Sequence, residues 1–142
     1  MLTLFILKSG DPNADPKKTL DSFNGVKNFV SHYVYADSLE AINSFEKETD
    51  WYCIIYDNEI VDDSLVRVPF EKDGRTMLYC PLKIHLRNNK ADVLVLFKKQ
   101  DGVMSKAPRI FRKHVKLSDS LMPPDKTLKF DRVLDGWIKS FN

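Results

Sequence analysis

The chain is poor in several of the residues from which common sites are built. It has only five glycines and no Gly-rich phosphate loop of the Walker or dinucleotide type, which excludes phosphate cradling by such a loop. Its two cysteines, Cys53 and Cys80, lie inside apolar segments without a ligand spacing. They read as buried reduced thiols rather than as a disulfide or a metal site. The three histidines, His32, His85 and His114, are scattered, which argues against zinc. No Ser/His/Asp or Cys/His arrangement carries a local signature of nucleophilic catalysis. Charge of one sign is lacking too. Lys and Arg number 22 against 20 Asp and Glu, for a net +2, so no global field calls for nucleic acid or an acidic membrane. The apolar start, residues 1–8, is too short to span a bilayer and has neither a basic lead nor a small-residue cleavage site. It reads as a first buried strand, and the expected location is cytoplasmic.

What is present suits one compact domain over residues 1–142, with 43% hydrophobic residues to fill a core. The most informative stretch is Trp51 to Tyr56, an apolar, aromatic and β-branched run that stops at Asp57. Glu59, Asp62 and Asp63 follow at once. A continuous apolar run reads as a strand buried on both faces, and open α/β sheets bind ligands beyond the carboxyl ends of such strands. Asp57 and Glu59 thus stand where a hard cation and a phosphate would be held, whereas Asp62 and Asp63 suit the first turn of a helix.

Elsewhere the pattern predicts a strand over residues 2–7, then a short helix opened by Asp15 as N-cap with Pro16 at its first position and closed by Asn24-Gly25. A second strand is expected over 26–35. A helix over 39–47 follows, capped by Asp37 or Ser38, with Leu39, Ile42 and Phe45 at helical spacing. Strand, helix, strand, helix, strand at these intervals predicts consecutive βαβ units. A short helix that Pro69 would stop is expected after Asp63, and residues 76–86 fit helix or strand equally. A strand over 91–97, a turn at Gln100-Asp101-Gly102 and a short strand over 108–112 come next. After Pro123-Pro124, the residues Phe130, Leu134, Trp137, Ile138 and Phe141 fit one face of a C-terminal helix. The expected fold is therefore α/β: a single-domain three-layer α/β/α arrangement on a mostly parallel sheet, with an antiparallel element late in the chain.

Several segments together resemble the donor-binding half of the family 2 glycosyltransferases. Residues 16–23 (P-K-K-T-L-D-S-F) look like that family's first helix, and Ala36-Asp37-Ser38 is similar to the end of its second strand. Ala41-Ile42-Asn43 lies where the family often has A-R-N, though the Arg is missing here. Residues 56–65 (Y-D-N-E-I-V-D-D-S-L) look like its metal-binding D-x-D loop, with Glu in the last place. Residues 91–95 (A-D-V-L-V) and 108–113 (P-R-I-F-R-K) resemble two later segments, so the likeness covers about residues 2–115. Ser9-Gly10-Asp11 replaces the usual loop after the first strand.

The resemblance implies a GT-A fold in minimal form, with residues 1–65 as a nucleotide-binding βαβαβ part and 66–142 as a reduced acceptor side. It implies a nucleoside diphosphate sugar bound by Ser9, Asp37, Asn43, Asp57, Arg109 and Arg112, with Mn2+ or Mg2+ on Asp57 and Glu59. Hard cations take oxygen ligands and neutralise leaving phosphates. Asp131 or Asp135 would act as base toward an unknown acceptor. The alternative is a non-catalytic relative kept for binding or assembly. So compact a version would suit an economical genome such as a phage's. Residues 98–116 are basic, with Phe97, Ile110 and Phe111 interleaved. Solvated cations around an alternating core explain that pattern better than nucleic acid does. A positive patch opposite an acidic loop would also serve a homo-oligomeric interface.

Overall fold

The buried runs read from the N-terminal half form three neighbouring strands. The computed structural model describes residues 2–24 and 30–141. Strand β1 (Leu2–Leu7) is buried at all six positions, and its one polar side chain, Thr3, shares a hydrogen bond with Thr49 at 2.6 Å. It lies between β2 (Val30–Ala36) and β3 (Trp51–Tyr56), both parallel to it, with Leu7 in register with Ala36 and Tyr56. Helix α1 (Pro16–Asp21) connects β1 to β2. The Asp15 side chain accepts from Lys18 N at 3.2 Å, and Pro16 costs no hydrogen bond in the first turn. The expected stop at Gly25 and residues 26–29 of the expected second strand lie outside the described residues. Helix α2 (Leu39–Ser44) connects β2 to β3, and Ser38 rather than Asp37 is its cap, accepting from Ala41 N at 3.1 Å.

Beyond β3 the chain departs from the expected fold. Strand β4 (Glu59–Val61), helix α3 (Asp63–Val66), a hairpin of β5 (Val68–Lys72) and β6 (Arg75–Tyr79), and helix α4 (Pro81–Asn88) follow. Strands β7 (Val93–Gln100) and β8 (Val103–Arg112) form an antiparallel hairpin around the Asp101-Gly102 turn, where both residues have positive φ. Strand β8 then pairs antiparallel with β3. Strands β9 (Phe130–Arg132) and β10 (Ile138–Ser140) run parallel to β7, and β10 is antiparallel to β4. The sheet order is β2-β1-β3-β8-β7-β10-β4, with β9 on β7, and β5-β6 stand apart.

The expected three-layer α/β/α fold on a mostly parallel sheet is therefore overturned. The chain is 41% strand and 19% helix, and its strands form a curled, mixed half-barrel sheet. Two physical causes stand out. Strands β7 and β8 are joined by a tight hairpin instead of a helical crossover, which forces antiparallel pairing. One sheet face is covered not by a helix layer but by α2 and the irregular segment 113–129. From that segment Val115 and Leu117 pack on Phe5, Tyr52, Ile54, Val93 and Phe111, and the Tyr52 hydroxyl donates to Val115 O at 2.6 Å. The other face buries Leu4, Cys53, Ile55, Leu65, Leu82, Leu94, Ile110 and Ile138.

The expected C-terminal helix is also absent from the described residues, which hold β9 and β10 there. Gly136 between them has φ +79, and Leu134, placed on the buried face of the supposed helix, is 70% exposed. The ambiguous stretch 76–86 resolves into both states, with β6 ending at Tyr79 and α4 starting at Pro81. Cys53 is buried, and desolvation pushes its thiol up to about 12; Cys80 caps α4, and both are free thiols. No helix among the described residues is long and apolar enough to cross a membrane.

Candidate functional site

Strand β1 has its successor β2 on one side and β3 on the other. The chain leaving β1 and the chain leaving β3 therefore diverge, and the gap above β1 and β3 is a topological switch point, the place where crevices form at carboxyl strand ends. Asp57 spans that gap. Its Oδ1 accepts from the Ser9 amide at 3.0 Å and from the Ser9 hydroxyl, and its Oδ2 accepts from the Tyr35 hydroxyl at 2.8 Å. Its backbone is tied as well, with Asp57 N donating to Leu7 O and Asp15 N donating to Asp57 O. Around this centre Asp11 N donates to Ser9 Oγ, and Asn58 Nδ2 donates to Asp11 Oδ2 at 3.2 Å. Asp37 stands exposed one residue beyond β2. The hydrogen bond Tyr35 gives to Asp57, with desolvation and the charges of Asp57 and Asp37, holds its phenol above the ordinary tyrosine value.

Glu59 does not join this centre. It is 0% exposed, and its carboxylate is gripped by Arg109, Nη1 to Oε1 at 2.6 Å and Nη2 to Oε2 at 2.9 Å, and by Lys98 Nζ at 2.6 Å. Tyr56 N donates to Oε1 at 2.8 Å, and Thr19 Oγ1 donates to the Glu59 carbonyl at 2.7 Å. Burial pushes Glu59 up, but the hydrogen bonds and charge of Arg109, with Lys98 and Tyr56 N, outweigh it and hold the carboxyl below its ordinary value. Such a forked, charge-assisted pair is among the stronger polar contacts an interior can hold.

This geometry tests the fit of the implied Mn2+ or Mg2+. A shared cation needs free oxygens from Asp57 and Glu59 aimed at one point. Asp57 is 1% exposed with both oxygens accepting hydrogen bonds, and Glu59 spends its oxygens on two side-chain cations and an amide. The two carboxylates share no partner, so as arranged they do not fit a common metal ion.

The other residues singled out in the sequence are dispersed. Arg109 is the partner of Glu59 and lies over the Tyr56 ring. Arg112 sits at the far end of β8, donating to Ala91 O and Asn89 O with its guanidinium 3.7 Å from the Trp51 ring centre. Asn43 clamps the 113–129 segment by paired hydrogen bonds with the Leu117 backbone. Asp131 is in register with Leu94, and thus through Ile110 with Cys53, away from the end of β3 where Asp57 lies. It accepts from Asn89 Nδ2 at 2.7 Å, and Asp135 lies 3.2 Å from His85 Nε2. The structure thus brings together Ser9, Asp37 and Asp57, and leaves Asn43, Arg109, Arg112, Asp131 and Asp135 elsewhere. Tyr35, Asp11 and Asn58 were missed. Tyr35 carried a signal, since it sits one residue before the end of a strand whose end was already marked by Asp37.

No protein-family model and no curated protein sequence matches this chain.

Proposed function

We propose that the protein is a glycosyltransferase-like binder of a nucleoside diphosphate sugar, seated at the carboxyl ends of β2, β1 and β3. The observation that carries this reading is the meeting of Ser9, Tyr35 and Asp57 across the β1/β3 switch point, beside the exposed Asp37. In this reading Asp37 accepts from the base, the Tyr35 hydroxyl and the Ser9 loop line the sugar and phosphates, and Asp57 holds both in place. Asp57 is then a positioning residue. Arg109 and Arg112 play no part in phosphate binding because their donors are spent inside the fold. No base for sugar transfer is assigned, since Asp131 and Asp135 sit with α4.

A second reading is a non-catalytic interaction protein. It is favoured by the burial of Asp57, whose hydrogen bonds are already complete without a ligand.

Calorimetry with UDP, GDP, CDP and dTDP separates the two. One nucleotide is expected to show binding that Asp37→Ala weakens about tenfold, the loss of one charge-assisted hydrogen bond. Manganese is expected to make little difference, because neither Asp57 nor Glu59 has a free oxygen. Absence of binding by all four nucleotides would sink the donor-site reading and leave the second.

A further inference from the structure

Alternation along β7 sorts the basic stretch of the sequence into two sets. Leu94, Leu96 and Lys98 point to the core face where Glu59 is held, while Val95, Phe97 and Lys99 point to the opposite face. On that opposite face the register places Lys106 beside Phe97 and Arg132 beside Val95, with Phe130 beside Val93. Trp137 completes it, with Lys99 Nζ 5.5 Å and Lys139 Nζ 5.6 Å from its ring centre. The segment 113–129 covers the neighbouring part of this face but not this part. Phe130 is 43% exposed, and Lys99, Lys106 and Arg132 are exposed.

Charge decides what fits here. Among the described residues no ion pair involves Lys99, Lys106 or Arg132, whereas Lys139 is paired with Asp62. Asp131, the acid next to Arg132 in sequence, borders this surface, but both its carboxylate oxygens are engaged, accepting from Asn89 Nδ2 and from the Arg132 amide. Three cations without an ion pair, Lys99 lying against the Trp137 ring, thus stand among three aromatic rings on one sheet face, Phe130 exposed and Phe97 and Trp137 half-buried. A groove of ≈ 380 Å³ runs over Val95, lined by Lys106, Phe130 and Arg132 with Asp131 at its border. Cations meet phosphates and rings stack on bases, so this interleaving suits an unpaired strand, in which every phosphate comes with a base, better than an acidic protein surface, which supplies charge without a regular series of aromatic faces.

We infer that this face of β7, β8 and β9 binds single-stranded nucleic acid without sequence preference. It is a second surface, separate from the nucleotide-sugar reading. Mononucleotides used to test the donor site would also touch it, so Asp37→Ala and the variants below serve as controls for each other.

The test is fluorescence anisotropy of a labelled oligothymidylate, with Trp emission followed in parallel. Trp51 is buried, so quenching reports on Trp137. Three free cations at ~0.7 counterions each give a log–log salt slope of about −2, or about fifteenfold weaker binding from about 50 to about 200 mM salt. Lys106→Glu with Arg132→Glu is expected to abolish binding, and Phe130→Ala to weaken it about tenfold, with unchanged circular dichroism. Absence of binding at the lower salt overturns the inference. So does binding that Phe130→Ala leaves unaltered, which would mean a polyanion held by charge alone.

Discussion

Replacing Arg109 with methionine is expected to lower the unfolding free energy by about 3–5 kcal/mol, read as a fall in the urea midpoint. The cause is not the lost attraction itself. Glu59 is completely buried, and without the guanidinium fork its carboxylate keeps only Lys98 and the Tyr56 amide. An under-compensated buried charge is what makes breaking one side of such a pair so costly. The companion double variant, Glu59→Leu with Arg109→Met, removes the charge as well as its partner. It is expected to recover most of the loss, because apolar replacement of a whole buried pair is often neutral, and Lys98, partly exposed, can turn to water. A single variant with an unchanged midpoint would show that the pair is not closed in solution.

The same pair sets a pH dependence whose sign follows from Glu59. Its folded carboxyl is held below the ordinary value, so its contribution is complete above the unfolded value and is lost as pH falls through the folded one. In Arg109→Met, desolvation is left with weaker opposition, and protonation of the buried carboxyl relieves the folded state. The gap between the two proteins should therefore narrow as pH falls from neutrality into the carboxylate range. The acidic limb of midpoint against pH, measured for both, checks this. A gap that widens on acidification would contradict the assigned roles.

These residues also show what a linear reading can and cannot reach. Strands β1 and β3 were legible because a run buried on both faces is nearly all apolar, Thr3 being tolerated in β1 through its hydrogen bond to Thr49. The starts of α1 and α2 were legible because Asp15-Pro16 and Ser38 act locally. The partners of Glu59 were not. Adjacency to Asp57 suggested a shared cation, yet the side chain's direction is set by Arg109 and Lys98, which arrive only when β7 and β8 fold back on β3. The parallel sheet was extrapolated from β1 to β3, where it holds, into a region where a tight turn at Asp101-Gly102 reverses the chain. Lys98 and Lys99, neighbours in sequence, serve a buried pair and an open face respectively. Their separation required the register as well as the composition.

Gly136→Ala bears on the part that was misread, and its sign alone discriminates. In a helix interior, Gly to Ala stabilises by about 1 kcal/mol. In the structure the same change should destabilise, for two additive reasons. Gly136 has φ +79, a region that costs an L-residue about 1–2 kcal/mol. An added Cβ would also lie 2.5 Å from Leu65 N and 2.6 Å from Leu65 Cα, which are backbone atoms and cannot rotate away. Either α3 shifts, at about 1–3 kcal/mol for an overpacked contact, or the chain entering β10 lifts. Lifting would break Asp62 N to Trp137 O and unseat Ile138, which is fully buried between β7 and β4. A fall in Tm on the order of 10 °C is expected. Gly102→Ala supplies the scale, since Gly102 has φ +78 with nothing within 4 Å of the added carbon and should show the conformational part alone. Equal losses at the two positions would remove the close approach to Leu65 from the account. A gain at Gly136 would restore the helix. A loss clearly larger than that at Gly102 is what β10 seated between β7 and β4 requires, and because Ser140 pairs with Glu59, the strand so anchored also braces the buried charge on which the first prediction turns.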